Sequence, residues 1–123
     1  MAEELSGILL VVSDDPDVEQ AVRFGLPNGV GVVSVNDSRA ASKTLETLTP
    51  RAVIVDLQTG SAGGFGLTKD MSQIPRLASI PVIVLLERDQ DRWLAKQSGA
   101  TLTLKKPITG AEIVAAVSSV LAA

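Results

Sequence analysis

The side chains that could do chemistry in this chain are carboxylates, hydroxyls and lysines, because its 123 residues include no cysteine and no histidine. Without thiols there is neither a disulfide nor a cysteine nucleophile. Without imidazoles there is neither a histidine-assisted nucleophile nor the common nitrogen ligand of zinc. Three short groups stand out because each follows an apolar run. Ser13-Asp14-Asp15 follows Ile8–Val12, Asp56 follows Ala52–Val55, and Lys105-Lys106-Pro107 follows Thr101–Leu104. Converging carboxylates repel one another, and a divalent cation relieves the repulsion. Mg²⁺ takes one or two carboxylates, some backbone oxygen and retained water. A lysine reaching the same point completes a set suited to phosphoryl transfer onto Asp56, chemistry that needs positioning and charge neutralisation more than acid–base groups. Taken singly, Asp15 reads as a helix cap, Asp56 as a turn residue and the two lysines as solvated. Their joint placement at three strand ends carries the inference.

The elements that would position these groups are legible in the apolar pattern. Ile8–Val12, Val30–Val35, Ala52–Val55 and Val82–Leu86 lack polar alternation and read as buried strands, with Thr101–Leu104 a shorter fifth. Between them lie stripes at helical spacing. Val18, Ala21, Val22 and Leu26 follow Asp15 as cap and Pro16 in the first turn; Ala41, Leu45 and Leu48 follow Asp37 and Ser38. Leu67, Met71 and Ile74 suggest a third helix that Pro75 must end, and Trp93 a short fourth that stops near Gly99. The last helix opens on the capping box Thr109-Gly110-Ala111-Glu112 and aligns Ile113, Val114, Val117, Val120 and Leu121. Five βα units predict a single α/β domain over residues 1–123. It should be a doubly wound five-stranded parallel sheet of the flavodoxin-like kind, in order 2-1-3-4-5, with helices on both faces. Ligands bind such sheets outside the carboxyl ends of strands 1 and 3. Strand 5 lies two places from strand 3, about 9 to 10 Å away, so only a side chain as long as lysine bridges them.

Bulk properties narrow the function further. Hydrophobic residues make up 46 % of the chain, yet Phe24, Phe65 and Trp93 are its only aromatics, so the core must be aliphatic. A net charge of −3 offers no field for phosphates and argues against direct nucleic-acid binding. No apolar run reaches the roughly 18 residues that cross a bilayer, and Met1-Ala2-Glu3-Glu4 is acidic where a signal peptide is basic. A cytoplasmic location without membrane attachment is expected. The glycine-rich stretch from Gly60 to Gly66 fits neither a dinucleotide fingerprint nor a P-loop, which leaves a nucleotide- or flavin-binding reading without a motif.

The run Ile8-Leu9-Leu10-Val11-Val12-Ser13-Asp14-Asp15-Pro16, then Ala52-Val53-Ile54-Val55-Asp56, Pro81-Val82-Ile83-Val84-Leu85, and Ser98-Gly99-Ala100 followed by Lys106-Pro107 resembles the receiver domain of bacterial two-component response regulators. The likeness covers essentially the whole chain, with the motifs in the family's order. It implies that Asp56 is the phosphoacceptor and Lys106 the group that pairs with the phosphoryl. Mg²⁺ would be held by Asp14, Asp56 and the backbone carbonyl of Gln58, and Lys106-Pro107 would be joined by a cis bond. Gly64 falls where the family has a loop glycine.

The departures are as specific as the matches. Ser13 stands where the family has the first acidic residue, removing one charge from the cation site. Leu86 stands where the family has the Thr or Ser whose hydroxyl follows the phosphoryl group, and Thr103 where it has a mobile aromatic. Gly60 and Gly63 replace the proline and acid of the loop after strand 3. The resemblance implies a signalling domain, not an enzyme in its own right. A histidine kinase or phosphotransfer protein would supply the phosphoryl group, and a protein partner or an output domain outside this sequence would respond. The alternative is a pseudo-receiver, an interaction module with the same fold that phosphorylation does not switch. Trp93 is read either as capping the core or as marking a partner surface.

Overall fold

The structure is a computed structural model that describes residues 7–26, 30–57 and 63–122. Five strands and five helices alternate: β1 (Gly7–Val12), α1 (Pro16–Gly25), β2 (Val30–Val35), α2 (Ser38–Thr44), β3 (Ala52–Asp56), α3 (Gly63–Gln73), β4 (Val82–Leu86), α4 (Arg92–Gln97), β5 (Leu102–Lys105) and α5 (Gly110–Ala122). A single 3₁₀ turn at Asp89–Asp91 leads into α4. All strand pairs are parallel, in the order β2-β1-β3-β4-β5. The sheet is the five-stranded flavodoxin-like one expected from the sequence.

Strand alternation assigns the two faces. Leu10, Val12, Val53, Val55, Val82, Val84 and Leu86 point to one side, where Ala41, Leu45, Leu67, Met71 and Ala95 of the α2, α3 and α4 layer meet them. Leu9, Val11, Ala52, Ile54, Ile83 and Leu85 point to the other, against Val18 and Val22 of α1 and Ile113, Ala116 and Val117 of α5. Covered by helices on both sides, β3 and β4 are buried along their whole lengths, and every residue in them except the terminal Asp56 is apolar.

The helix boundaries follow from their caps. Asp15 accepts the Asp17 N–H through Oδ1, Pro16 occupies the first turn, and Asp37 accepts the Ala40 N–H. In α5 the Thr109 N–H donates to Glu112 Oε1 while the Glu112 N–H donates back to Thr109 Oγ1. Three readings shift. Helix α2 ends at Thr44, so Leu45 is its cap and Leu48 lies beyond it; Ile74 follows the end of α3 and is exposed; and β5 begins one residue late, at Leu102. Gly99 has φ +112°, the left-handed conformation that closes α4.

Helices α1 and α5 approach where two glycines face each other. A Cβ built on Gly25 would lie 2.6 Å from Gly110 Cα and 2.7 Å from its carbonyl oxygen. Both obstacles are backbone, so the clash is relieved only by moving a helix. Gly25→Ala is therefore expected to lower stability by about 1–3 kcal/mol, outweighing the several tenths that alanine gains in a helix. Urea unfolding checks this, and an unchanged midpoint would contradict the close approach.

Candidate functional site

Register places the chemical groups at one end of the sheet. Val12 pairs with Val55 across β1 and β3, and Asp56 with Leu85 across β3 and β4, so the last residue of β3 sits level with the loop that leaves β1. Asp56 has no exposed surface. A carboxylate buried to that degree needs hydrogen-bond donors and a counter-charge. It has both: the Ser13 hydroxyl donates to Asp56 Oδ2 at 2.8 Å, and the Lys106 ammonium lies 3.1 Å from the same oxygen. Lys106 comes from the end of β5, where its N–H donates to the Leu86 carbonyl, and its bond to Pro107 is cis.

The loop after β1 supplies more than a helix start. Ser13 is 6 % exposed, its N–H donates to the Val35 carbonyl of β2, and its Oγ accepts the Asp15 N–H at 3.0 Å. The hydroxyl is thereby fixed in orientation, accepting from the loop and donating to Asp56. Asp15 does two jobs with two oxygens. Oδ1 caps α1 and Oδ2 lies 3.1 Å from Lys106 Nζ. Lys106 is thus held between Asp15 and Asp56, with Glu87 Oε1 a third carboxylate oxygen at 4.0 Å. This bridge was not legible in the sequence. Strands 1 and 5 are three places apart, about 14 Å, and the contact forms because the β1–α1 loop curls over the strand ends toward a lysine extended the other way.

The electrostatics agree with the distances. The hydrogen bond from Lys106, followed by that from the Asp17 N–H, holds Asp15 below the usual carboxylate range. Burial opposes the Lys106 ammonium, yet the hydrogen bonds to Asp15 and Asp56 outweigh it and raise the lysine above its ordinary value. A lowered acid stabilises the fold above its unfolded value near 4, and the effect is lost as pH falls through the folded one. A raised lysine stabilises below about 10.4, with loss as pH climbs through the folded value. The pair should be at full strength from about pH 5 to about pH 10. The stability difference between wild type and Asp15→Asn is therefore expected to be flat across that window and to shrink below about pH 4. A difference that grows on acidification would contradict the assignment.

Other predicted positions fall as follows. Asp14 is exposed and lines an open cleft with Asp15, Glu19, Arg23 and Asn36. Gln58 and Gly60 lie outside the described residues, and Gly63 and Gly64 begin α3. Leu86 is fully buried in the core beneath α2, α3 and α4. Thr103 is 6 % exposed, and its hydroxyl accepts a 2.7 Å hydrogen bond from Arg92 of α4. Trp93 is 69 % exposed on the same helix, so it does not cap the core. Every ligand this end of the sheet can offer is a hard oxygen, the donor set of Mg²⁺ and not of a thiophilic metal. Among the described residues no group of three acidic side chains is placed to share an ion. A cation here would keep much of its water, as Mg²⁺ does.

A profile described as the response regulator receiver domain matches residues 9–118. Two relatives bracket the likeness. An uncharacterized 14.6 kDa protein of Leptolyngbya boryana is 31 % identical over 109 residues, covering 86 % of this chain and 83 % of that protein. The alkaline phosphatase synthesis transcriptional regulatory protein PhoP of Bacillus subtilis is 26 % identical over 116 residues. That match takes in 92 % of this chain but 48 % of PhoP, so the chain spans about half the length of that regulator. Among solved structures, a putative response regulator from Chloroflexus aurantiacus superposes with a TM-score of 0.88 at 26 % identity, covering 96 % and 99 % of the two chains. The receiver domain of the sensor histidine kinase PA1611 from Pseudomonas aeruginosa, solved with a magnesium ion in its active-site cleft, gives 0.83 at 22 % identity, covering 96 % and 99 %.

Proposed function

Because the chain belongs to the response-regulator receiver family of two-component signalling, we propose that Asp56 is its phosphoacceptor, Lys106 the partner of the phosphoryl group, and Mg²⁺ the accompanying cation. The observation that carries this reading is the buried Asp56 carboxylate held 3.1 Å from the Lys106 ammonium at the sheet's carboxyl end. The same pair favours this reading over an interaction module that phosphorylation does not switch.

One Asp56 oxygen attacks phosphorus, and an acyl phosphate forms. The bond from phosphorus to the donor breaks, and its electron pair stays with the leaving group: the imidazole nitrogen of a phosphohistidine, which takes a proton from solvent, or the acetate of acetyl phosphate. Lys106 offsets charge on the transferred oxygens, and Ser13 fixes the orientation of the acceptor. Asp14, Asp56 and the Gln58 carbonyl would hold Mg²⁺, which neutralises phosphoryl charge when bound. With Ser13 in place of an acid, the site carries one charge fewer for the ion, and affinity falls with ligand charge.

The donor is a histidine kinase or phosphotransfer protein in the cytoplasm, and the phosphorylated domain acts on a protein partner or an attached output domain. Among the described residues no helix is long and apolar enough to cross a membrane. Chelation is the test: with acetyl phosphate as donor, incorporation should fall by about tenfold or more when EDTA replaces Mg²⁺, the scale of lost charge stabilisation at a transferring phosphoryl. Equal incorporation in both buffers would remove the cation from the account.

A further inference from the structure

A newly phosphorylated Asp56 has to be sensed by a group that can move, and β4 and β5 offer little. The Leu86 side chain has no polar atom and is packed in the core. Thr103 is occupied by Arg92, which also pairs with Asp89 at 3.2 Å. The β1–α1 loop is instead bonded to the acceptor at two points. One chain runs from Asp56 Oδ2 to the Ser13 hydroxyl to the Asp15 N–H. The other runs from Asp56 Oδ2 through Lys106 Nζ to Asp15 Oδ2. Both end on the residue that opens α1, whose Oδ1 accepts from Asp17 and whose carbonyl accepts from Val18 and Glu19.

Resting on the assignment of Asp56 as acceptor, we propose that Asp15 is a positioning residue for Lys106 and the residue that carries the state of Asp56 into the first turn of α1. An ammonium has three N–H donors. Here they are directed at Asp56 and Asp15, with Glu87 further off. A phosphoryl group brings three acceptor oxygens and nearly two negative charges. It outcompetes Asp15, whose side chain is 31 % exposed and has water as an alternative partner. Lys106 then turns from Asp15 to the phosphoryl. With Oδ2 released, the carboxylate is no longer held at both ends, and the cap on Asp17 weakens. Phosphorylation thus loosens the start of α1, a helix that packs on α5 and carries Phe24, 83 % exposed.

The division of labour between the two Asp15 oxygens supplies the test. Asp15→Asn keeps an oxygen for the cap, where Asn and Asp are about equal, and removes the charge that holds Lys106. Water exchange of the Asp17 and Val18 amides is measured with and without acetyl phosphate and Mg²⁺, while intact mass reports the phosphate. Phosphorylated wild type should exchange about 5-fold faster at these amides, the ratio expected for loss of one cap. Asp15→Asn, compared at the same phosphate occupancy by intact mass after whatever incubation reaches it, should change by less than about 2-fold, because its cap never depended on Lys106. If phosphorylated wild type shows unchanged exchange, or the variant responds as fully, Asp15 is not the reporter although Asp56 is still the acceptor. If wild type gains no phosphate by mass, the acceptor assignment falls and this proposal with it.

Discussion

Lys106→Met is expected to destabilise the domain by about 3 kcal/mol at neutral pH, the low end of what it costs to strand one member of a buried ion pair. Methionine keeps most of the stem volume, so little packing is lost and the effect isolates the charge. Asp56 has no exposed surface, and without Lys106 its negative charge would lose the ammonium counter-charge 3.1 Å away. The low end applies because Lys106 itself retains 12 % exposure, which lets water reach the vacated position. Adding Asp56→Asn to the same chain should recover most of the loss, since the stranded charge is then gone. Such a cycle should show a coupling of about 2 kcal/mol or more. Urea unfolding of the four proteins measures it, and a double variant no more stable than Lys106→Met would mean that the pair does not govern the site.

Asp56→Asn alone is expected to reduce phosphoryl incorporation to the level of a buffer blank while leaving the fold intact. The amide cannot attack phosphorus as a carboxylate does, so the loss concerns chemistry and not affinity. Asparagine has nearly the shape of aspartate and keeps an oxygen that can accept from Ser13, while Lys106 keeps Asp15 as its partner. Trading a buried carboxylate for a neutral group of equal size also removes a desolvation cost, so stability should change by less than about 1 kcal/mol. A variant that unfolded would instead show that the charge is needed to hold the three strand ends together.

The fold was readable because Ala52–Val55 and Val82–Leu86 are apolar at every position and because caps such as Thr109 and Glu112 lie close in sequence to what they bond. Periodicity and capping are local signals, and the parallel topology follows from their alternation. Boundaries were less legible where a side chain fits two roles: Ile74 has the helical spacing of Leu67 and Met71, yet the turn before Pro75 carries it into solvent. Asp56 and Lys106 could be placed together from topology and lysine's reach. Their neighbours could not. Ser13 reads as a lost acid, whereas its hydroxyl is a donor to the acceptor carboxylate. Asp15 reads as a cap and is one, but its second oxygen serves Lys106 across the sheet. Thr103 reads as a missing aromatic, and its hydroxyl accepts a hydrogen bond from Arg92 of α4. In each case the residue type limits what the group can donate or accept, and only the three-dimensional path of the loops decides with whom.

Whether Asp56 accepts the phosphoryl group is decided by intact-mass analysis of wild type and Asp56→Asn after identical incubation with acetyl phosphate and Mg²⁺. One added phosphoryl group is expected on the wild type and none on the variant. A wild type that gains nothing, or a variant that gains as much, would contradict it.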